Sequence, residues 1–346
     1  GGVPVGESGG KRRVTAADVA RSLGISRATV GYVLNNTPGQ TISAATRERV
    51  LSEAARRGYR PRVAAQALAS GRSRIILLVL PDWPLEFSLQ LALDETAAAL
   101  DQAGYSLVTY TRHSGGRSRP LWELLDPDVV IGFGMADGVD EFSPEEVASM
   151  QATGVTKIVP DPRLPDAASP YASAEPVVAG SRLQVEHLHG LGHQRLAIAE
   201  SPDPRHALLA VSRSQAARQA AEHLGLQVVD ACPVDHRDGS ADRAVRAWRE
   251  SGVTGVVAFN DSVAASALGA AVRAGISVPD DLAVIGHDDT PWAAVFVPSI
   301  SSIRFDAAGL GRHLAAVALH EADGRPITEQ LSDFEVTVVA RESTGR

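Results

Sequence analysis

The chain has 346 residues, 33 Lys and Arg against 41 Asp and Glu, a formal net charge of −8 and a single cysteine, Cys232. One cysteine excludes an internal disulfide and fits a reducing cytoplasm, where the protein is expected to reside. No apolar run reaches the roughly 20 residues that a membrane-spanning helix needs, so no membrane partner is expected. A uniformly acidic chain would also be a poor partner for nucleic acid.

The charge is not uniform. Residues 11–74 hold thirteen Lys and Arg against Asp18, Glu48 and Glu53, a balance of +10; Glu7 adds −1, which leaves −17 for residues 75–346. Basic charge confined to one module suits phosphate neutralisation there, while the acidic remainder is repelled from DNA.

In chain order, residues 1–13 are Gly-rich at their start and lack the apolar core of a signal peptide, so a flexible leader is expected. Thr15 can N-cap a first helix, with Asp18 three residues on as its capping-box partner. Gly24 supplies a turn and Ser26 caps a second helix in which Val30, Val33 and Leu34 recur at helical spacing. Arg27, Ala28, Gly31 and Tyr32 then face outward near the start of that helix, where a helix-turn-helix meets base edges in the major groove. Ser43 can cap a third helix running to about Arg57, with Gly58 placed to stop it.

From Ile75 the pattern changes. Apolar runs at 75–80, 105–111, 129–133, 157–159, 196–199, 255–259 and 282–285 read as strands, and a last strand is expected at 334–340. Helical stretches are expected at 85–103, 181–190, 212–224, 240–251 and 261–274. Continuous apolar strands alternating with helices imply parallel sheets covered on both faces, and so many units imply two α/β lobes. Ligands in such folds bind beyond the carboxyl ends of the strands.

Metal and catalytic patterns are weak. His187 and His189 are two apart and cannot share a helix face, and Gly190 and Gly192 interrupt the helix before His193, so no metal site is expected. Asp280-Asp281 and Asp288-Asp289 fall at strand boundaries, where Asp often caps turns. There is no GxSxG elbow, no P-loop and no CxxC pair, so neither a catalytic residue nor a cofactor is expected.

The whole run from Val14 to Gly71, including Tyr59-Arg60-Pro61-Arg62-Val63-Ala64-Ala65-Gln66-Ala67-Leu68, resembles the LacI/GalR family of bacterial transcriptional regulators. Further along, five segments resemble signatures of the same family: Val185-Glu186-His187-Leu188-His189-Gly190-Leu191-Gly192-His193, Asn260-Asp261 with Ala264, Gly275 to Leu282, Gly286-His287-Asp288-Asp289, and Pro298 to Ile303. The resemblance implies an all-α helix-turn-helix headpiece at 14–60 and a hinge helix and linker at 61–74. Residues 75–346 would form a two-lobed α/β effector domain similar to type I periplasmic binding proteins. Lobe 1 would take 75–175 and 304–331, and lobe 2 would take 176–303 and 332–346.

It also implies roles. Thr15, Ser26, Arg27, Ala28, Thr29, Tyr32, Asn35, Arg62, Ala65 and Leu68 would contact DNA, with Leu68 wedged into the minor groove. Asp161, Arg213, Asn260 and Asp288 would bind the effector, with Trp83, Phe87, Trp292 and Phe305 lining the cleft. The expected partners are a palindromic double-stranded operator, a small-molecule effector of sugar type, and a second copy of the chain in a homodimer. The function implied is a repressor whose operator affinity an effector controls; the rivals are a plain solute-binding protein and an enzyme on the same fold.

This chain departs from the family pattern in places. Ala216-Ala217 replaces a Gly-aromatic pair after Arg213, His287 stands where an aromatic is common, and Gly31-Tyr32 replaces a frequent Ser-Arg. Residues 160–180, which include Asp161, match the family poorly.

Overall fold

The computed structural model describes residues 14–35, 37, 39–59, 72–113, 115–133, 142–161, 175–328 and 335–345. Two compact units divide after Arg74.

The first unit holds three helices, α1 (Ala16–Leu23), α2 (Arg27–Leu34) and α3 (Ala44–Arg56). Their starts are set by side-chain caps. The Thr15 hydroxyl accepts from Asp18 N while the Asp18 carboxylate accepts from Thr15 N at 2.9 Å, completing the capping box. Ser26 and Ser43 each accept from the backbone N–H three residues on. Gly24 ends α1 at φ 65°, a left-handed conformation that suits glycine. Val19, Ala20, Val30, Val33, Val50 and Ala54 form a small buried core. Glu53 on α3 is gripped by Arg56, Ser22 of α1 and Arg57, whose hydrogen bonds hold its carboxyl well below the usual range. That contact ties the last helix back to the first.

The second unit contains two parallel sheets. In lobe 1, β1 (Ile75–Leu80), β2 (Ser106–Thr111), β3 (Val129–Gly132) and β4 (Ile158–Val159) run in the order β2-β1-β3-β4. Ile76, Leu78 and Leu80 point to one face of that sheet, and Leu77 and Val79 to the other. Both faces are covered, which is why β1 reads as an unbroken apolar run. In lobe 2, β5 (Arg195–Glu200), β6 (Gln227–Pro233), β7 (Gly255–Ala258) and β8 (Ala283–Ile285) run in the order β6-β5-β7-β8. An antiparallel pair, β9 (Ser302–Phe305) with β10 (Val336–Val339), recrosses between the lobes.

Helices α4 (Phe87–Gln102) and α11 (Ala307–Asp323) pack closely on lobe 1. A Cβ on Gly311 would lie 2.3 Å from the Ala92 carbonyl oxygen, so only glycine permits this approach. The Thr96 hydroxyl donates across the same seam to Gly311 O at 3.0 Å. Between these two helices in chain order lie α5 (Trp122–Leu125), α6 (Pro144–Ala152), α7 (Glu175–Gly190), α8 (Ala207–His223), α9 (Ser240–Glu250) and α10 (Asp261–Arg273).

Several elements were not anticipated. Helix α11 carries Gly309 and Gly311, which lower its intrinsic propensity, and packing against α4 overrides that. Strand β6 is a half-buried edge strand containing Asp230 and Pro233, so it shows no apolar run. Helices α7 and α8 begin several residues before the expected starts, at Glu175 and Ala207. Among the described residues, no helix is long and apolar enough to cross a membrane.

Candidate functional site

Two places collect functional side chains, one in each unit. In the first, α2 stands on Val30 and Val33 and leaves Arg27, Ala28, Tyr32 and Asn35 exposed. Thr29 is half-buried and its hydroxyl pairs with Ser26 Oγ at 2.8 Å. Thr15 and Ser26 are exposed, but their oxygens serve first as helix caps. Arg62, Ala65 and Leu68 lie outside the described residues.

The second place is a cavity of about 160 Å³ between the lobes of the second unit. Lobe 1 supplies Trp83, Glu86, Ser88, Leu89 and Phe133 to its wall, with Leu310 from α11. Lobe 2 supplies His206, Leu209, Arg213, Phe259, His287 and Asp288, and Phe305 closes it from the end of β9. Trp83 meets Phe133 edge-on at 5.8 Å. The Arg213 guanidinium lies over the Phe259 ring at 4.9 Å and donates to the Phe259 carbonyl at 2.7 Å.

Asp288 is the electrostatic centre. It sits at φ 92°, a left-handed backbone that costs a non-glycine residue roughly 1–3 kcal/mol and that recurs at functional sites. Its N–H is held by the Ile303 carbonyl at 2.9 Å. Burial would raise its carboxyl, but a hydrogen bond with His287, the Arg213 charge 3.8 Å away and a hydrogen bond from Ser88 bring it to about 2. Burial pushes the His287 and His206 imidazoles below their usual range, which favours neutral rings. The loop carrying Asp288 is anchored by buried Asp261, which accepts from Thr290 N at 2.7 Å and from Ser302 Oγ at 2.6 Å. Desolvation raises Asp261 to about 6 despite those bonds.

Asn260 lies two residues past β7 and N-caps α10, its Oδ1 accepting from Val263 N at 2.9 Å. Its amide donates at 2.8 Å to Glu86, a residue of the opposite lobe, so Asn260 stands one contact behind the cavity wall.

Of the residues expected in the cleft, the structure gathers Trp83, Arg213, Asp288 and Phe305 on the wall. Three do not reach that wall in this structure. Phe87 begins α4 beside Ser88, but a helix turns about 100° per residue, and Ser88 and Leu89 reach the cavity while Phe87 does not. Trp292 lies in a 3₁₀ turn, partly exposed, against Phe296. Asp161 follows β4 and is half-buried away from the cavity. Glu86, Ser88, His206 and Phe259 were not foreseen. Phe259 directly precedes Asn260 at a strand end, and that position was the available signal. Of the three histidines weighed as metal ligands, His187 pairs with Thr344 and His193 with Thr254, each at 2.9 Å.

A three-helix unit with an exposed second helix, in one chain with a two-lobed α/β unit that carries a charged aromatic cleft, is the make-up of a DNA-binding regulator with a ligand domain. Residues 15–62 match the bacterial regulatory proteins of the lacI family, and residues 185–344 match the periplasmic binding protein-like domain. The chain is 30% identical over 341 residues to the HTH-type transcriptional regulator MalR of Streptomyces coelicolor, covering 95% of this chain and 96% of that protein. It is 26% identical to the ribose operon repressor of Bacillus subtilis, covering 96% and 99% of the two chains. In fold it is similar to the Lac repressor dimer bound to operator and the anti-inducer ONPF, with TM-score 0.69 and 22% identity over 97% of this chain and all of that one. It is also similar to the regulator CelR in its cellobiose complex, with TM-score 0.57 and 23% identity over 96% of this chain and all of that one. The chain belongs to the LacI/GalR family of bacterial transcriptional regulators.

Proposed function

We propose that this regulator is a cytoplasmic repressor that binds a palindromic operator as a homodimer and releases it when a small polyhydroxylated effector, a sugar, enters the interlobe cleft. The observation that carries the reading is the cavity between the lobes. Flat aromatic faces (Trp83, Phe305) suit the C–H side of a sugar ring, and Asp288, just past the end of β8 and held by Arg213 of α8, offers a hydrogen-bond acceptor. Domain boundaries at about 60 and 74, with a hinge helix carrying Arg62, Ala65 and Leu68, belong to the same proposal. Effector binding at the cleft would shift the balance between two lobe arrangements and so the hinge. No residue is assigned to catalysis.

The test starts from DNA selected in vitro by the full chain. A sugar should release the bound DNA, measured by fluorescence anisotropy, and be recovered unchanged; its consumption would make the protein an enzyme. Arg27→Ala should reduce discrimination between selected and scrambled DNA by about 1–3 kcal/mol. An equal loss on both DNAs would make Arg27 a phosphate contact.

A further inference from the structure

Glu86 is one of the cleft side chains that no sequence pattern pointed to, and it has an unusual place. It precedes α4 as the N-cap residue in lobe 1 yet makes no cap hydrogen bond. Instead its carboxylate reaches lobe 2, accepting from Asn260 Nδ2 at 2.8 Å and lying 3.5 Å from His206 Nε2. Asp288 faces the same cavity from the other lobe, so two carboxylates look into one space. The cation beside them, Arg213, is engaged by Asp288, the Phe259 carbonyl and the Phe259 ring and feels the Glu86 charge as well; its buried Nε has no hydrogen-bond partner among the described residues. His206 and His287 add no charge when burial keeps them neutral.

With both carboxylates ionised the charged groups on the wall sum to −1; burial and the Asp288 charge push the Glu86 carboxyl up, and the Asn260 amide and Arg213 hold it down. The volume gives a second guide. At about 160 Å³ the cavity is comparable to an engineered apolar cavity of roughly 150 Å³ that binds one benzene ring, so it has room for one ring.

Resting on the cleft-effector reading above, we propose that Glu86 determines the charge class of the effector: a single pyranose-sized ring that is neutral or carries an amine, with anionic rings excluded. A carboxylate or phosphate on the ring would face Glu86 and Asp288 across a partly desolvated space in which the one cation, Arg213, already neutralises Asp288, and like charges in such a setting repel strongly. A hydroxyl or ammonium donor has a carboxylate waiting on each side.

The test uses the full chain and three matched ring series (gluco, galacto and manno), each as free sugar, 2-amino sugar and uronic acid. Binding is read by the thermal unfolding midpoint and then by calorimetry. In at least one series the free sugar or the amine should bind and the uronic acid should not. Glu86→Gln, which keeps an acceptor for Asn260, should improve the uronic acid at least about tenfold relative to its neutral parent. Glu86→Asp keeps the charge and should keep the exclusion. Asp82→Asn removes a nearby charge that is paired with His113 outside the cavity, and should leave selectivity unchanged.

A uronic acid that binds the wild type as tightly as its parent would overturn the proposal. So would equal relaxation by Asp82→Asn, which would mean a general field rather than contact. Silence of all three series would overturn the ring-sized assignment while the cleft reading stands, provided a longer saccharide such as cellobiose shifts the midpoint. If no sugar of any length releases DNA, the cleft reading itself fails.

Discussion

In the headpiece, Arg27, Ala28, Tyr32 and Asn35 stand outward on a core of six small buried side chains, and none of the four belongs to that core. In the cleft, the groups that would read a ligand are built into the fold. Asp288 holds Arg213 and His287, Asn260 caps a helix, and both sit next to lobe-crossing contacts. The glycines tell the same story. A Cβ on Gly31 of α2 meets nothing within 4 Å, whereas one on Gly286 would lie 2.2 Å from Asp261 Oδ1. Recognition in the headpiece is thus separable from stability, while recognition in the cleft is not.

The sharpest way to break that contrast is Asp288→Ala. Removing one member of a buried ion pair leaves the other charged and unpaired, at a cost of about 3–5 kcal/mol. Arg213 would keep the Phe259 carbonyl and ring and the more distant Glu86 charge, but no carboxylate within ion-pair distance among the contacts described. Denaturant unfolding of the second unit should show that loss together with loss of effector binding. A variant that loses the effector and keeps its stability would show that the cleft, too, separates the two roles. Adding Arg213→Met should recover part of the stability, since the pair is then replaced by apolar surface.

Much of this contrast was legible in the sequence, for a physical reason. Caps and turns are local: Thr15 with Asp18, Ser26, Ser43 and Gly24 each act within a few residues, and all four helix boundaries they mark are present. Buried parallel strands also announce themselves, because both faces must be apolar. The cleft is assembled from segments more than a hundred residues apart, so a family pattern could place Arg213 and Asp288 there but could not find Glu86 or His206. Glu86 looks like an ordinary helix-start acid until the other lobe is seen beside it. Phe87 and Trp292 misled because an aromatic near a cleft was equated with an aromatic facing it, and side-chain direction is not readable from spacing in a first helical turn or a 3₁₀ turn.

A smaller effect tests how far the cleft's support depends on charge. Asp261, fully buried behind the Asp288 loop, is raised from 3.8 to about 6 in the folded protein, chiefly by desolvation. The folded state then holds a proton that the unfolded state has released between those two values. By linkage, this group's contribution to stability falls as pH rises through that window, by on the order of 3 kcal/mol, and is flat above it. Asp261→Asn removes the titration. Its carbonyl can still accept from Thr290, and its amide can donate to Ser302. Wild-type stability minus variant stability, from urea unfolding at pH 4 to 7, should decline with pH. A constant difference would mean that Asp261 titrates normally and that its anchoring is purely geometric.

The smallest expected effect lies in the headpiece, where substitutions should be additive and mild. Gly31 occupies the interior of α2 in helical conformation with open space where a Cβ would go. Alanine there removes the entropic cost of ordering a glycine without asking any neighbour to move, a gain of up to about 1 kcal/mol. Native-state hydrogen exchange at the amides of Val30 and Val33 should then slow by roughly fivefold for that gain, if those amides exchange through unfolding of the headpiece. The unfolding midpoint of the second unit should not move, because residue 31 lies in the other compact unit. The DNA readout adds an independent measure: an added methyl beside Tyr32 and Ala28 changes what the exposed face presents to base edges, so discrimination can shift while stability rises. Slower exchange together with altered discrimination would confirm that the headpiece holds its reading surface apart from its core; faster exchange in Gly31→Ala would show that α2 depends on that glycine and that the two are coupled there as well.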